Sequence, residues 1–452
     1  MKLKIFCITA ILILVIPTVS AVNFSKTDDI SPKKLLSNLD SSADIVNLIT
    51  QVNESLVKNY LKNLTEIGPR YTGSENCKKA AQYIYNEFEK MGLDVYFDNW
   101  RYIRFKSQNV VATLNGTDPS SDAVFIICAH YDTITYPLYL PKKNYSVGAD
   151  DDGSGVAGIL AIASILCKYH FNHTIRFIAV SGEEVGNYGA YTYAKRAYER
   201  DENIVAVFDI DMIGYANTTK GGKTLKVFET PRTEWISSFS NNVSQKYKEY
   251  IDLIIKTCPN FPTDSQAFLD FGYDAVMYYE SDDYPFTHTA NDKIDNINFT
   301  YFVKTTKFLL AVTAELANKP IDVQVHIVTP CEGCFYLFDH KIFRLPGFNL
   351  WRTDLRGMTY IIGRNNKIRV NISTNDEIED VYFYIDDDGI MLRDKKSPYE
   401  CEIENFCKPT IGKHTISVKV TTASGKVAYD EMDIYIVNFS CFFFGIFPRR
   451  QI

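Results

Sequence analysis

Five short polar clusters hold the residues of this 452-residue chain best able to do chemistry: His130-Tyr131-Asp132, Asp150-Asp151-Asp152, Glu183-Glu184, Asp211-Met212 and Thr287-His288-Thr289. Gathering so many carboxylates is unfavourable, because each like-charged neighbour raises the energy of the ionised form. Cations must compensate. A mixed set of imidazole nitrogen and carboxylate oxygen suits Zn²⁺, whereas an all-oxygen set would suit Mg²⁺ or Ca²⁺. Two histidines and three carboxylates are too many for one open catalytic zinc. They fit two metals sharing a bridging carboxylate, an arrangement that clamps an attacking water and polarises a carbonyl.

The remaining candidates read as structure. His170, His173, His326, His340 and His414 have no acidic partners at ligand spacing in the sequence. Cys331 and Cys334 form a lone C-x-x-C. A structural zinc needs four ligands and no second pair follows, so this is expected to be a disulfide or two plain thiols, with Cys401 and Cys407 the other local pair.

For the five clusters to meet, the chain must bring several strand ends together. Short β-rich runs are predicted at Leu93 to Trp100, Val110 to Leu114, Ala123 to Ala129, Thr174 to Val180, Ile204 to Ile210 and Asp274 to Tyr279. Helical spacing falls between them, at Gly155 to His170, Tyr188 to Glu199, Glu234 to Lys248 and Phe299 to Ala317. Ser74 and Gly92 bracket another helix, and apolar spacing from Ser31 to Gly68 is helical with a break near Ser41-Ser42. Strands alternating with helices imply an α/β domain with a mostly parallel central sheet, and such sheets bind ligands beyond their carboxyl ends. After Asn318-Lys319-Pro320 the helical period vanishes and alternating strands begin, which predicts a small all-β sandwich.

The motifs H-x-D, G-A-D-D-x-x-S-G, G-E-E, D-M and a late H-T, in order from His130 to His288, resemble the dizinc aminopeptidases of the bacterial leucyl aminopeptidase type. The wider clan includes glutamate carboxypeptidase II, the transferrin receptor and the glutaminyl cyclases. The resemblance covers about residues 50 to 318 and implies a three-layer metallopeptidase domain with two Zn²⁺ per chain. It assigns His130 and Asp211 to one zinc, Glu184 and His288 to the other, and Asp151 to the bridge. It makes Glu183 the general base and has Asp132 accept a hydrogen bond from the far nitrogen of His130. One departure stands out: many relatives carry Ser-Asp-His where this chain has Thr263-Asp264-Ser265 ahead of Phe268, which changes a polar group near the substrate pocket. The β-rich segment, with Val381 to Asp386, Ser397-Pro398-Tyr399 and Gly412 to Thr415, resembles the immunoglobulin-like modules often appended to exported hydrolases.

The implied function is an exported zinc exopeptidase that removes N-terminal residues from peptide substrates. Its rivals are a carboxypeptidase or a single-zinc glutaminyl cyclase of the same clan. A receptor-like binding protein on an inactive scaffold normally lacks a ligand or the base, and here none is missing. The net charge of -7 gives no footprint for nucleic acid. Lys2 and Lys4, the apolar run Ile5 to Pro17 and the small residues Thr18 to Ala21 read as a signal peptide, so a secreted or cell-surface location is expected. Eleven Asn-x-Ser/Thr sites fit that route. The expected division is a signal at 1–21, a helical segment at 22–49, the peptidase domain at 50–318, the immunoglobulin-like sandwich at 319–440 and an apolar, basic tail at 441–452. The tail is too short to span a bilayer and is expected to dock on protein or at a membrane surface.

Overall fold

The computed structural model describes residues 37–38, 42–136, 145–200, 202–337, 339–344, 359–363, 367–386, 390–402 and 411–437. The chain divides into two units, Met1–Leu36 and Ser37–Ile452, and the described residues belong to the second. The expected signal, the tail and Cys407 lie outside the described residues.

The first part of this unit alternates strand and helix. It opens with β1 (Ser37–Asn38), α1 (Ser42–Gln51), α2 (Glu54–Thr65), α3 (Glu75–Lys90), β2 (Asp94–Tyr102), β3 (Phe105–Leu114) and β4 (Val124–His130). Next come α4 (Gly153–Leu166), β5 (Tyr169–His170), β6 (Thr174–Val180), α5 (Tyr188–Glu199), β7 (Ile204–Ile210) and β8 (Thr224–Glu229). It closes with α6 (Glu234–Lys246), α7 (Lys248–Ile251), β9 (Ile254–Pro259), α8 (Asp264–Leu269), β10 (Ala275–Glu280) and α9 (Phe299–Leu316).

Eight strands form one sheet in the order β2-β3-β6-β4-β7-β10-β8-β9. The central pairs β6/β4, β4/β7 and β7/β10 are parallel, as is β8/β9, while β2/β3, β3/β6 and β10/β8 are antiparallel. Strand β4 is buried at every position, and its side chains alternate between two cores. Phe125, Ile127 and Ala129 face a core shared with α1, α2, α3, α4 and α9. Val124, Ile126 and Cys128 face a second core with α5 and α8. The chain winds from β4 through α4 to β6 on one side, then through α5 to β7 on the other. Strand order therefore reverses at β4, where a crevice opens beyond the strand ends.

Local residues explain where the elements begin. Helix α1 begins at Ser42, and Asn53 accepts a hydrogen bond from Leu56 N at 3.0 Å and caps α2, so a further break, absent from the apolar spacing, falls at Val52-Asn53. Ile45, Leu48 and Ile49 of α1 sit in the same core as α9. Ser74 caps α3 through Cys77 N at 3.1 Å. Strands β8 and β9 have no counterpart in the sequence reading; edge strand β9 is exposed or half-exposed throughout and lacks alternation.

Beyond α9 lie β11 (Gln324–Thr329), β12 (Cys334–Leu337), β13 (His340–Arg344), β14 (Thr359–Ile362) and β15 (Lys367–Ser373). They are followed by β16 (Ile378–Ile385), β17 (Ile390–Asp394), β18 (Glu400–Glu402), β19 (Ile411–Thr422) and β20 (Val427–Val437). They make a three-stranded and a seven-stranded sheet over one apolar cluster. Two of the pairs, β12/β14 and β14/β20, are parallel. The module docks at the end of the large sheet opposite the site: Asn203 Nδ2 donates to Thr374 O at 3.0 Å, and His326 Nε2 lies 3.0 Å from Asp274 Oδ1. So His326 has an acidic partner that sequence spacing did not reveal, and so does His414, 2.6 Å from Asp386. The Cys331 and Cys334 sulfurs lie 2.6 Å apart. A cavity of about 1070 Å³ between module and domain is lined by Arg232, Asp270, His326 and Tyr429, and none of the expected metal ligands borders it. Asn371, one of the expected glycosylation sites, is buried and bonds Gly272 O, which removes it from a list of accessible acceptors. Among the described residues no helix is long and apolar enough to cross a membrane.

Helix α4 is buried at every position but one, so its side chains have no room to relax. Ile159→Ala is expected to lower stability by about 2–5 kcal/mol. Chemical denaturation followed by fluorescence would read this as a lower midpoint, and an unchanged midpoint would contradict the packing described.

Candidate metal centre

Four neighbouring strands of the sheet end at one crevice. β4 ends in His130, β6 runs into Glu183-Glu184, β7 into Asp211, and β10 leads to the turn holding His288. The loop before α4 adds the three aspartates. All five residues expected to bind metal come together, in two groups that share one member: His130, Asp151 and Asp211, and Asp151, Glu184 and His288.

The shared member faces both ways. Asp151 Oδ1 lies 3.3 Å from His130 Nε2, and Oδ2 lies 3.1 Å from His288 Nε2. His288 Nε2 is 3.0 Å from Glu184 Oε2, and His130 Nε2 is 3.8 Å from Asp211 Oδ1. Donors at about 2.0–2.1 Å on a tetrahedral zinc would lie roughly 3.3 Å apart, so these separations and this donor set fit Zn²⁺. Glu183 Oε2 stands 3.9 Å from His130 Nε2, beside the first group and in neither.

The flanking aspartates do different work from the middle one. Asp152 caps α4 through Gly155 N at 2.9 Å and also accepts from His130 N and Met212 N, each at 3.1 Å. One carboxylate thus ties together β4, the residue after Asp211 and α4. Asp150 accepts from Gly214 N at 3.0 Å. With both committed to main-chain amides, Asp151 is the aspartate facing the histidines. Left-handed backbone at Met212 (φ 53°) and His288 (φ 58°) marks the turns that present the ligands, a conformation side chains seldom adopt without support. Here the support includes a hydrogen bond from Tyr136 N to His288 O at 3.0 Å, and the Tyr136 ring packs edge-on at 5.2 Å.

Asp132 departs from expectation. His130 Nδ1 meets the main-chain oxygen of Asp132 at 3.1 Å, whereas the Asp132 carboxylate is 3.8 Å away. That carboxylate instead accepts from Thr72 Oγ1 at 2.6 Å and Glu183 N at 3.3 Å. It therefore positions the backbone of Glu183, and the turn carbonyl orients the imidazole. Glu184 is steadied by Ile134 N at 3.1 Å.

Three supports were not legible beforehand. Asp292 accepts from Ala149, Asp150 and Asp151 N at 3.0, 2.8 and 3.2 Å, and from Tyr284 Oη at 2.8 Å. Its place in the His288 motif was the available signal. Arg70 is fully buried beside the same loop. At the departure noted above, Thr263 Oγ1 and Ser265 N hold Asp209 at 2.8 and 2.9 Å, and Asp264 is buried with neither carboxylate oxygen hydrogen-bonded.

Burial raises the carboxyl groups of Glu184 to about 7 and Asp211 to about 8, with the charge of Asp151 adding to each. Glu183 lies well above its ordinary value, by burial first and then the charges of Asp264 and Asp211. Burial opposes ionisation of Asp151 too, but hydrogen bonds from His130 and His288 prevail and hold it below the usual carboxylate range. Burial likewise disfavours the charged form of His288, yet Asp151 and Glu184 raise it to about 10.

Residues 109–313 match peptidase family M28. The probable leucine aminopeptidase of Arthroderma otae is 25% identical over 317 residues, covering 65% of this chain and 81% of its own length. Leucine aminopeptidase 1 of Paracoccidioides brasiliensis is 25% identical over 344 residues, 70% of this chain and 82% of the relative. Among solved structures, the LapA aminopeptidase of Legionella pneumophila aligns with a TM-score of 0.54 and 22% identity, covering 63% of this chain and 77% of that one. BSAP, a zinc aminopeptidase from Bacillus subtilis, aligns with a TM-score of 0.51 and 17% identity, over 59% of this chain and 96% of its own. These two structures share the α/β fold described above.

A metal held by these groups would have to displace the protons of Glu184, Asp211 and His288, because only their deprotonated forms coordinate. Apparent affinity is therefore expected to rise with pH through the range from about 7 to 10 and to fall below it. Calorimetric titration with Zn²⁺ in buffers of different ionisation enthalpy measures the release. Binding without proton release at pH 7 would contradict this account of the ligands.

Proposed function

We propose, from the match of residues 109–313 to peptidase family M28, that the protein is a dizinc aminopeptidase. The observation that carries the reading is the Asp151 carboxylate, with one oxygen toward His130 and the other toward His288. His130, Asp151 and Asp211 would hold one zinc, and Asp151, Glu184 and His288 the other. When bound, the pair supplies Lewis acidity that polarises a peptide carbonyl and acidifies a water.

The chain's own groups do the rest. Glu183, beside the ligands but in neither group, takes the proton of the attacking water and delivers it to the departing amine. The Asp132 carboxylate holds the Glu183 backbone, so the base stays aimed as it gains and loses a proton.

Recognition of the substrate terminus separates this reading from a carboxypeptidase, which needs a cation to pair with the terminal carboxylate. Arg70 lies close to the site but is 0% exposed, and its side chain donates to the carbonyls of Tyr131, Val147 and Gly148. It is not available to substrate. A centre rich in carboxylates suits an ammonium instead. The leucine aminopeptidases among the relatives support an N-terminal exopeptidase. Export is part of the proposal, supported by the basic, apolar and small-residue succession over residues 1–21. Association of the immunoglobulin-like module and tail with a cell surface is proposed on the aromatic run before Pro448-Arg449-Arg450.

The test compares peptides with free, N-acetylated and C-amidated ends, using wild type and Glu183→Ala loaded with zinc. Cleavage should require the free N-terminus and ignore amidation, and Glu183→Ala should keep its metal while turnover drops at least ~10²-fold. Equal cleavage of acetylated peptides would remove the aminopeptidase reading, and undiminished turnover in the variant would remove Glu183 as base.

A further inference from the structure

Arg70 stands outside the family-matched segment, in the strap between α2 and α3, and none of its surface reaches solvent. An arginine so placed needs its donors satisfied, since a buried unpaired charge is strongly destabilising. Its Nε donates to Tyr131 O at 2.6 Å, Nη1 to Val147 O at 2.5 Å and Nη2 to Gly148 O at 3.0 Å. All three acceptors are main-chain carbonyls. The strap is also laced to the turn after β4, with Arg70 N donating to Thr133 Oγ1 at 2.9 Å and Thr133 N to Arg70 O at 3.3 Å.

These contacts join two pieces of chain that carry ligands. Tyr131 follows His130, and Val147 and Gly148 lead into Asp151. On its other side the same loop is gripped through the amides of Ala149, Asp150 and Asp151 by Asp292. A cation thus holds the loop's carbonyls and an anion holds its amides. Gly148 is at φ +57°, and a Cβ there would come within 2.4 Å of Asp151 O and 3.0 Å of Arg70 Nη2. The close fit of guanidinium, glycine and bridge leaves little slack. By contrast, none of the bonds from the Arg70 side chain reaches Glu184, Asp211 or His288.

We propose that Arg70 is a positioning residue for the metal pair, fixing His130 against Asp151 so that the site formed by His130, Asp151 and Asp211 is preorganised ahead of the site formed by Asp151, Glu184 and His288. The inference rests on the dimetal reading above. It differs from a merely structural role because it concerns one metal step more than the other. Two of the three ligands of the first site are tied through Arg70, against one of three in the second.

The test is stepwise titration of the full chain with Co²⁺, read by calorimetry and by the visible absorption of each bound ion, in wild type, Arg70→Met and Arg70→Lys. Arg70→Met should weaken the tighter step, the filling of the site of His130, Asp151 and Asp211, by roughly 10–100-fold, the range for groups that orient a ligand from behind, and leave the other near its wild-type value. Arg70→Lys, which keeps the charge but not the fork, should fall between. Circular dichroism and thermal melting establish whether each variant folds, and the lysine variant carries the test should the methionine variant fail to. Wild-type affinities at both steps in a folded variant would overturn the proposal. So would equal weakening of both steps, or failure of both variants to fold, each of which makes Arg70 a general support. A wild-type chain binding fewer than two metals would instead overturn the dimetal reading itself.

Discussion

The structure turns on a single carboxylate placed between two imidazoles. Asp151 has a histidine nitrogen within 3.3 Å of one oxygen and another within 3.1 Å of the second. Around it stand Glu183, Glu184 and Asp211, acids whose ionised forms repel one another in a setting shielded from water. Burial raises all three, while Asp151 alone of the four is driven the other way by its histidines. A cluster of this kind is poorly matched to a metal-free chain and well matched to divalent cations, which exchange repulsion between ligands for attraction to a shared charge.

Holding such a cluster in place falls to hydrogen bonds with the main chain. Asp152 accepts from three elements, Asp292 from three successive amides, and Arg70 donates to carbonyls on two loops. The parallel strands β6, β4, β7 and β10 supply a rigid base, with apolar cores on both faces. Sites built at the ends of such strands gain precision from the sheet, and the turns above them carry the unusual backbone angles at Met212 and His288.

Much of this was legible in the residues. The five residues that gather into two groups, Glu183 beside them and the alternation of strand and helix could be read because metal chemistry demands particular residue types, and three of the clusters close a β-rich run. The supports were harder to read, for a physical reason. Arg70 works through carbonyls, which every residue possesses, so its partners leave no mark on the sequence. Asp132 was expected to meet His130 through its carboxylate, but the turn brings its carbonyl closer and turns the carboxylate to Glu183 N and Thr72. The second helical break, at Val52-Asn53, left no mark because apolar spacing runs through Val52, and a single side-chain cap at Asn53 decides the boundary. Edge strand β9 lacks a buried face and so lacks the period that betrays a strand. The β-module was visible as a change of period, but its pairing order depends on contacts between distant strands.

The central claim is that Asp151 gives one oxygen to each of two metals. Anomalous diffraction from crystals of the zinc-loaded chain tests it most directly. The account predicts two ions about 3.5–4 Å apart, one on each side of the Asp151 carboxylate. A single ion, or two ions with Asp151 bound to only one of them, would contradict it.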